Sequence, residues 1–229
     1  MVRKKIVFVI VEGPSDDDAL GVILTRIFDN NKVYVHIMHG DITTMKGNVL
    51  NNIGNEIRTY AKSNHMKYTD FQQIIHIVDT DGAYIPENAV VENQDVDNPF
   101  YTLTGIHTKS VKNIQKRNAI KSGNLDRVSI TKKVWQVPYK VYYMSCNLDH
   151  VLYNKPNSSD AEKEENSFEF AKKYKDDIPE FIKYMTKSEF SVDLEYATSW
   201  KYIKEGLRSL ERHSNFGLCL KNSAESEGN

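Results

Sequence analysis

The sequence predicts an α/β protein with a mainly parallel sheet flanked by helices, followed by a C-terminal helical region. Three observations carry that prediction. A short, continuously apolar, β-branched run at Lys5–Val11 has the composition of a strand buried on both faces, and Ile74–Val78 supplies a further strand. The stretches between such runs repeat apolar residues at helical spacing. The alternation strand, helix, strand, helix, strand implies parallel strands joined by right-handed crossovers.

Each element follows in chain order. Lys5–Val11 is the first strand. Ser15 reads as the cap of a helix, with Asp18 three positions on and Leu20, Ile23, Leu24, Ile27 and Phe28 as its apolar stripe. Lys32–Met38 is the second strand, and Val49, Ile53, Ile57 and Tyr60 space out a second helix despite Gly47 and Gly54. The third strand, Ile74–Val78, runs directly into Asp79-Thr80-Asp81-Gly82. Residues 83–135 carry no clear period: an acidic stretch (Glu87, Glu92, Asp95, Asp97) gives way to a basic one. Val137–Met144 is a further strand, Asn147–Tyr153 a short helix and Asn154–Asp160 a polar break. From Ala161 to Leu220 the pattern is helical, with a helix start at Pro179 and an apolar stripe of Tyr196, Trp200, Ile203, Leu207 and Leu210. Asn222–Asn229 is expected to fray. The chain thus divides into an α/β part, residues 1–155, with a basic insertion at about 100–140, and a helical part, residues 156–229; no internal repeat is visible.

Composition narrows the classes. With 30 basic against 31 acidic residues the net charge is −1, which excludes a uniformly basic nucleic-acid coat but not a local patch. Two distant cysteines, Cys146 and Cys219, give neither a disulfide framework nor the paired spacing of a zinc site, and a reducing cytoplasm is the expected compartment. The longest apolar run, Ile6–Val11, is far short of the ~20 residues of a membrane span, and no signal pattern surrounds it. No membrane association is expected.

The chemistry concentrates at strand ends. Glu12-Gly13 follows the first strand and Asp79 and Asp81 follow the third, so a parallel sheet gathers all three carboxylates at its carboxyl edge, where open α/β sheets bind ligands. Carboxylates converging without an obvious basic partner repel one another, and a hard divalent cation, Mg²⁺ or Mn²⁺, is the expected compensation. Gly13 and Gly82 suit the sharp turns at the two strand ends. The helix start near Ser15 also aims its positive end at this corner, favouring an anionic phosphate.

These residues resemble the Toprim domain, the metal-binding catalytic domain of topoisomerases, bacterial primases, ribosomal-RNA maturases and overcoming-lysogenization-defect nucleases. The resemblance rests on the strand ending in Glu12-Gly13, with Asp16 and Asp17 at the helix start, and on the strand ending in Asp79-Thr80-Asp81; it covers residues 3–85 well and weakens toward 155. It implies a Rossmann-like core, with Glu12 as metal ligand and general acid or base and Asp79 and Asp81 as Mg²⁺ ligands. A looser similarity to stand-alone Toprim-like proteins of bacterial defence systems, including the RloB-like group, sets Ser145-Cys146-Asn147-Leu148-Asp149-His150 at the next strand end. It implies Asp149 as a ligand for a second metal, oriented by Asn147. Two metals would stabilise both attacking water and leaving oxygen of a phosphodiester. The implied activity is a divalent-metal-dependent endonuclease, and the defence role comes from the resemblance alone. Some such proteins work beside an ATPase; this chain has no G-x-x-x-x-G-K-[ST] motif, so nucleotide-driven steps would need a separate subunit. A homo-oligomer is compatible with the sequence.

Between Tyr101 and Lys140 nine Lys or Arg face one acid, Asp126. Lys109, Lys112, Lys116, Arg117, Lys121, Arg127, Lys132 and Lys133 are the expected phosphate-tracking residues of a nucleic-acid groove, with Trp135 or Tyr139 stacking on a base. His36, His39 and His150 lie near the candidate edge, and His39 or Asp41 can reach substrate. Two other readings stand. Asp79-Thr80-Asp81-Gly82 also fits the opening of a haloacid-dehalogenase-type phosphatase with Asp79 as nucleophile, although Ala83 replaces the usual Thr. A catalytically idle Toprim-like module binding nucleic acid or an ATPase is the other.

Overall fold

The computed structural model describes residues 4–28, 32–37 and 41–226. Their elements are β1 (Ile6–Val11), α1 (Pro14–Ile27), β2 (Lys32–Ile37), α2 (Val49–Ser63), β3 (Phe71–Asp79), β4 (Val90–Glu92), β5 (Phe100–Thr102), β6 (Gly105–Thr108), α3 (Val111–Ile130), β7 (Lys133–Val134), β8 (Val137–Met144), α4 (Leu148–Tyr153), α5 (Asp160–Tyr174), α6 (Ile178–Lys187), α7 (Tyr196–Tyr202) and α8 (Gly217–Ser226). The main sheet has the order β2-β1-β3-β8-β7, with β2, β1, β3 and β8 parallel and β7 antiparallel to β8. The α/β expectation holds at this level.

Alternation along the strands divides the core in two. Val7, Val9, Val11, Ile75, Ile77, Tyr142 and Met144 face α1 and the helices α4 to α6 and α8, burying Leu20, Leu24, Phe170, Phe181 and Leu220. Ile6, Phe8, Ile10, Ile74, Val78, Tyr139, Val141 and Tyr143 face α2, α3 and α7, with Ile53, Ile57, Leu125, Val128 and Trp200. The C-terminal helices therefore pack into the same two cores as the sheet.

Several local readings change. The cap of α1 is Gly13, not Ser15: the side chain of Asp16 accepts the backbone N–H groups of Glu12 (3.1 Å) and Gly13 (3.0 Å), so the acid three positions into the helix turns back on the strand end. The stripe from Tyr196 to Leu210 is not one helix. It stops at Tyr202, and Gly206, at φ +59°, turns the chain so that Leu207 and Leu210 pack on a third core. That core belongs to the part without a readable period, which folds into a small sheet of order β4-β6-β5 followed by the 20-residue helix α3. Gly105 is obligatory there, because a Cβ would sit 2.1 Å from the Ala89 carbonyl oxygen.

β8 has an outer edge beyond the short β7 pairing, and side chains close it. The Tyr196 hydroxyl donates to Val141 C=O (2.8 Å) and accepts its N–H (3.4 Å), while Asn215 accepts from Tyr143 N–H (2.9 Å) and Ser214 donates to Tyr143 C=O (2.9 Å). Tyr196→Phe leaves both Val141 groups unpaired, and buried unpaired backbone groups are costly. The expected loss is about 1–3 kcal/mol in urea unfolding; an unchanged midpoint would mean the edge does not need this hydroxyl.

Candidate metal centre

Strand geometry places the acids. Glu12 follows β1, Asp79 ends β3, Asp81 lies two residues beyond, and Asp41 follows β2 by a short segment, all at the carboxyl edge of the parallel sheet. The turn after β3 is pinned: Thr80 N–H donates to Met144 C=O (3.0 Å), Asp81 N–H to Cys146 C=O (2.8 Å), and the Thr80 hydroxyl to Ser209 C=O (2.9 Å). These bonds hold Asp81 at φ +48°, a left-handed conformation that Asp tolerates through its short polar side chain.

Glu12, Asp41 and Asp81 form a half-buried group that can hold a metal ion, with one ligand atom from each lying within 4.8 Å of the others. The donors are all carboxylate oxygens, the set a hard divalent cation prefers. Asp41 thus takes the third place for which Asp79 was expected. Asp79 stays close enough to Glu12, Asp16 and Asp81 to feel their charge, and burial first, then Glu12, Asp16 and Asp81, push its carboxyl well above the usual range. The same causes act on Glu12: burial dominates and Asp41, Asp81 and Asp16 add, against Lys121, so its carboxyl is pushed up to about 8. Asp16, raised by burial to about 6, also feels Asp149.

The expectation of carboxylates without a basic partner is wrong. Lys121, expected on a substrate groove, is fully buried, and its Nζ lies against Asp81 Oδ2, 2.8 Å from Asp41 Oδ2 and 3.7 Å from Glu12 Oε1. Burial opposes its charge, but Asp81, Glu12, Asp41 and Asp79 outweigh that and hold the ammonium firmly protonated. Burial likewise works against Asp41, yet Lys121 and the Thr43 hydrogen bonds win and its carboxyl lies below the usual value. One ammonium still faces four carboxyl groups, so the site retains an excess of acid.

Lys121 could have been found. Ile114, Asn118, Lys121, Leu125 and Val128 repeat at intervals of three and four, one helical face that is buried throughout α3. Arg117, also expected on the groove, turns inward: it donates to Asp81 C=O (2.7 Å) and to the Tyr101 hydroxyl (2.9 Å), which donates to Asp81 Oδ1 (3.3 Å). Tyr101 carried no sequence signal, because the hairpin that presents it has no readable period. Its strand is clamped by Asn157, whose side chain bonds Tyr101 N–H and C=O, both at 2.8 Å.

The remaining basic residues do not form one groove. Lys112, Lys116, Arg127, Lys132 and Lys133 are exposed, and Lys109 pairs with Asp97 (2.9 Å). Lys112 and Lys132 stand at opposite ends of α3, about 30 Å apart along its axis. Lys132 instead borders a cleft of about 1130 Å³ containing Ile74, Tyr139, Tyr196 and Trp200, at the opposite edge of the sheet from the acids. Of the two expected stacking rings, one is enclosed and the other half-buried. Tyr139 is buried with its hydroxyl on His76 Nδ1 (2.7 Å), and Trp135 packs edge-on against Phe71 and Tyr68.

Asp149 is buried but stands apart from the Glu12, Asp41 and Asp81 group; Lys163, Ser158 and Lys155 surround it, and burial raises its carboxyl. Asn147 does not orient it: its side chain accepts His150 N–H (2.9 Å) and donates to Pro156 C=O (2.8 Å). His36 pairs with Glu56 (3.2 Å), and His150 is buried, its ring pushed down to about 4 by burial and then by Arg212. His39 lies outside the described residues.

Fold and site together define an α/β protein with an acidic, cation-compatible centre at the carboxyl edge of a mostly parallel sheet. Comparison of the chain with protein-family models, curated proteins and solved structures finds no match in any of the three. No helix among the described residues is long and apolar enough to cross a membrane.

Proposed function

We propose that this chain is a divalent-metal-dependent endonuclease of Toprim type that hydrolyses nucleic-acid phosphodiester bonds, acting as an anti-phage defence effector. The observation that carries the reading is the meeting of Glu12, from the end of β1, with Asp81, from just beyond β3, at one sheet edge and within ligand distance of Asp41. The donor set fits Mg²⁺ or Mn²⁺, which when bound supplies Lewis-acid stabilisation of the phosphoryl oxygens and a more acidic water. Glu12, pushed up to about 8 by burial and ionised once a cation is bound, would take the proton of the attacking water as its oxygen bonds to phosphorus and the bond to the leaving oxygen breaks. Asp81 is held in place by Arg117 and Tyr101, and Asp79 and Asp16 keep the corner acidic. Lys112 and Lys116, one turn apart on the exposed side of α3, are the residues that meet the backbone phosphates. A separately encoded ATPase remains part of this proposal, as does a second metal held by Asp149.

The phosphatase reading gains no support from the geometry. Asp79, its proposed nucleophile, is a buried acid pushed toward its protonated form, and Glu12, which that reading leaves idle, bonds the Asp79 N–H (3.2 Å). The deciding experiment is product formation on single- and double-stranded DNA and RNA with Mg²⁺, Mn²⁺ or EDTA, for wild type, Asp79→Ala and Glu12→Gln. Metal-dependent cleavage lost in both variants is expected. Hydrolysis of a phosphomonoester such as p-nitrophenyl phosphate that survives Glu12→Gln but not Asp79→Ala points to the phosphatase, and absence of both cleavage and metal binding leaves the idle module.

A further inference from the structure

An ammonium group occupies the middle of the acidic centre. Lys121 Nζ touches Asp81 Oδ2 and Asp41 Oδ2 and lies within 3.7 Å of Glu12 Oε1, so one positive charge sits among the three carboxylates that can hold a metal. The second oxygen of each aspartate is committed. Asp41 Oδ1 accepts both the backbone N–H (2.7 Å) and the hydroxyl of Thr43, and Asp81 Oδ1 accepts the Tyr101 hydroxyl (3.3 Å). The aspartate oxygens pointing to the centre are therefore those that Lys121 holds, while Glu12 Oε1 accepts the Asp79 N–H (3.2 Å). Solvent reaches the carboxylates, whose side chains are 16–22% exposed, but not Lys121, which approaches from inside the fold at 0%.

From this the geometry points to Lys121 as the resident cation of the centre, an internal counter-ion that a divalent metal must displace in order to bind Asp41 and Asp81. The inference rests on the metal-centre reading above and adds how that centre is regulated. Two cations sharing the same oxygens would stand only a few ångströms apart in a poorly solvated site, where their repulsion is strong. A lysine can leave more readily than most groups, because its charge rides on a flexible four-carbon stem. Binding is then an exchange of an ammonium for a metal, not the filling of an empty cage. Exchange weakens the apparent metal affinity, while the metal-free centre stays partly neutralised.

The test is Mn²⁺ binding, followed by calorimetry and by the electron paramagnetic resonance signal of free Mn²⁺, in wild type and Lys121→Met. Methionine keeps the length and packing of the side chain without its charge. Exchange predicts that Lys121→Met binds Mn²⁺ at least tenfold more tightly, and that saturating Mn²⁺ raises its melting temperature more than it raises that of wild type. Equal or weaker binding in the variant overturns the inference while leaving the metal centre intact. If neither protein binds Mn²⁺, the centre itself falls and the inference with it. Should Lys121→Met fail to fold, wild type labelled with ¹³C at lysine Cε and titrated with Mg²⁺ gives the same answer. The signal of the solvent-shielded lysine must shift on saturation; Mg²⁺ binding seen by calorimetry with that signal unmoved overturns the exchange.

Discussion

Asp81→Asn is expected to lower divalent-metal affinity by more than about 100-fold, beyond the 10- to 100-fold typical of changes to supporting residues, and to abolish metal-dependent cleavage with it. The substitution spares the backbone of the turn, although it sets an amide NH2 against the buried Lys121 ammonium and so costs some stability. Asp81 sits at φ +48°, where Asn is among the best-tolerated side chains, and its backbone N–H and C=O bonds to Cys146 and Arg117 do not depend on the carboxylate. The amide can still accept the Tyr101 hydroxyl through its oxygen. What is lost is a negative charge beside Asp41 and Glu12, and with it one of the three ligands. Calorimetric titration with Mn²⁺, beside a circular dichroism melt showing a folded protein, checks the prediction. A folded Asp81→Asn that keeps wild-type metal affinity would remove Asp81 from the centre.

The second large effect is on pH. Glu12 is raised from an ordinary 4.5 to about 8, chiefly by burial, and Asp16 is raised to about 6 and Asp79 well above 3.8 for the same first reason. A carboxyl whose pKa is higher folded than unfolded binds its proton more tightly in the native state. Its contribution to stability is therefore complete below the unfolded value and is lost as pH rises through the folded one. In EDTA the protein is expected to lose stability from this corner between about pH 4.5 and 8. Metal binding runs the other way, since it needs the deprotonated carboxylate: affinity for Mn²⁺ should rise by roughly tenfold per pH unit up to about 8 and then level off, with proton release. Asp41, lowered by Lys121 and Thr43, stays ionised throughout this window and contributes nothing to the slope. Melting curves with and without Mn²⁺ at several pH values test both signs at once, and a metal affinity flat from pH 6 to 8 would contradict the environment assigned to Glu12.

The parts of the fold that were legible are those where burial writes a period. The apolar, mainly β-branched run of β1, the Ile74–Val78 stretch of β3, the strand Val137–Met144 and the stripe of α2 give their own identity, because a strand buried on both faces and an amphipathic helix each demand one composition. Glu12, Asp79 and Asp81 were legible for a related reason: each stands where such a run stops. The insertion was not, because β4, β5 and β6 are three or four residues long and share a core with Ile114 and Leu210, contacts that no local window contains. Lys121 was misread because charge masked its place in the period of α3. Its burial is tolerated only beside Asp41 and Asp81, which arrive from segments 80 and 40 residues away in the chain, respectively.

The side-chain closure of β8 bears on how this molecule can meet copies of itself. Exposed strand edges are the usual templates for sheet-to-sheet joining, whether in orderly dimers or in aggregates. Along Val141–Tyr143 every outward backbone group is already taken by Tyr196, Ser214 or Asn215, so no incoming strand finds a donor or acceptor there. A homo-oligomer of this chain must therefore assemble through side-chain surfaces or at another edge, and the long central sheet is protected on this flank from propagating into fibres.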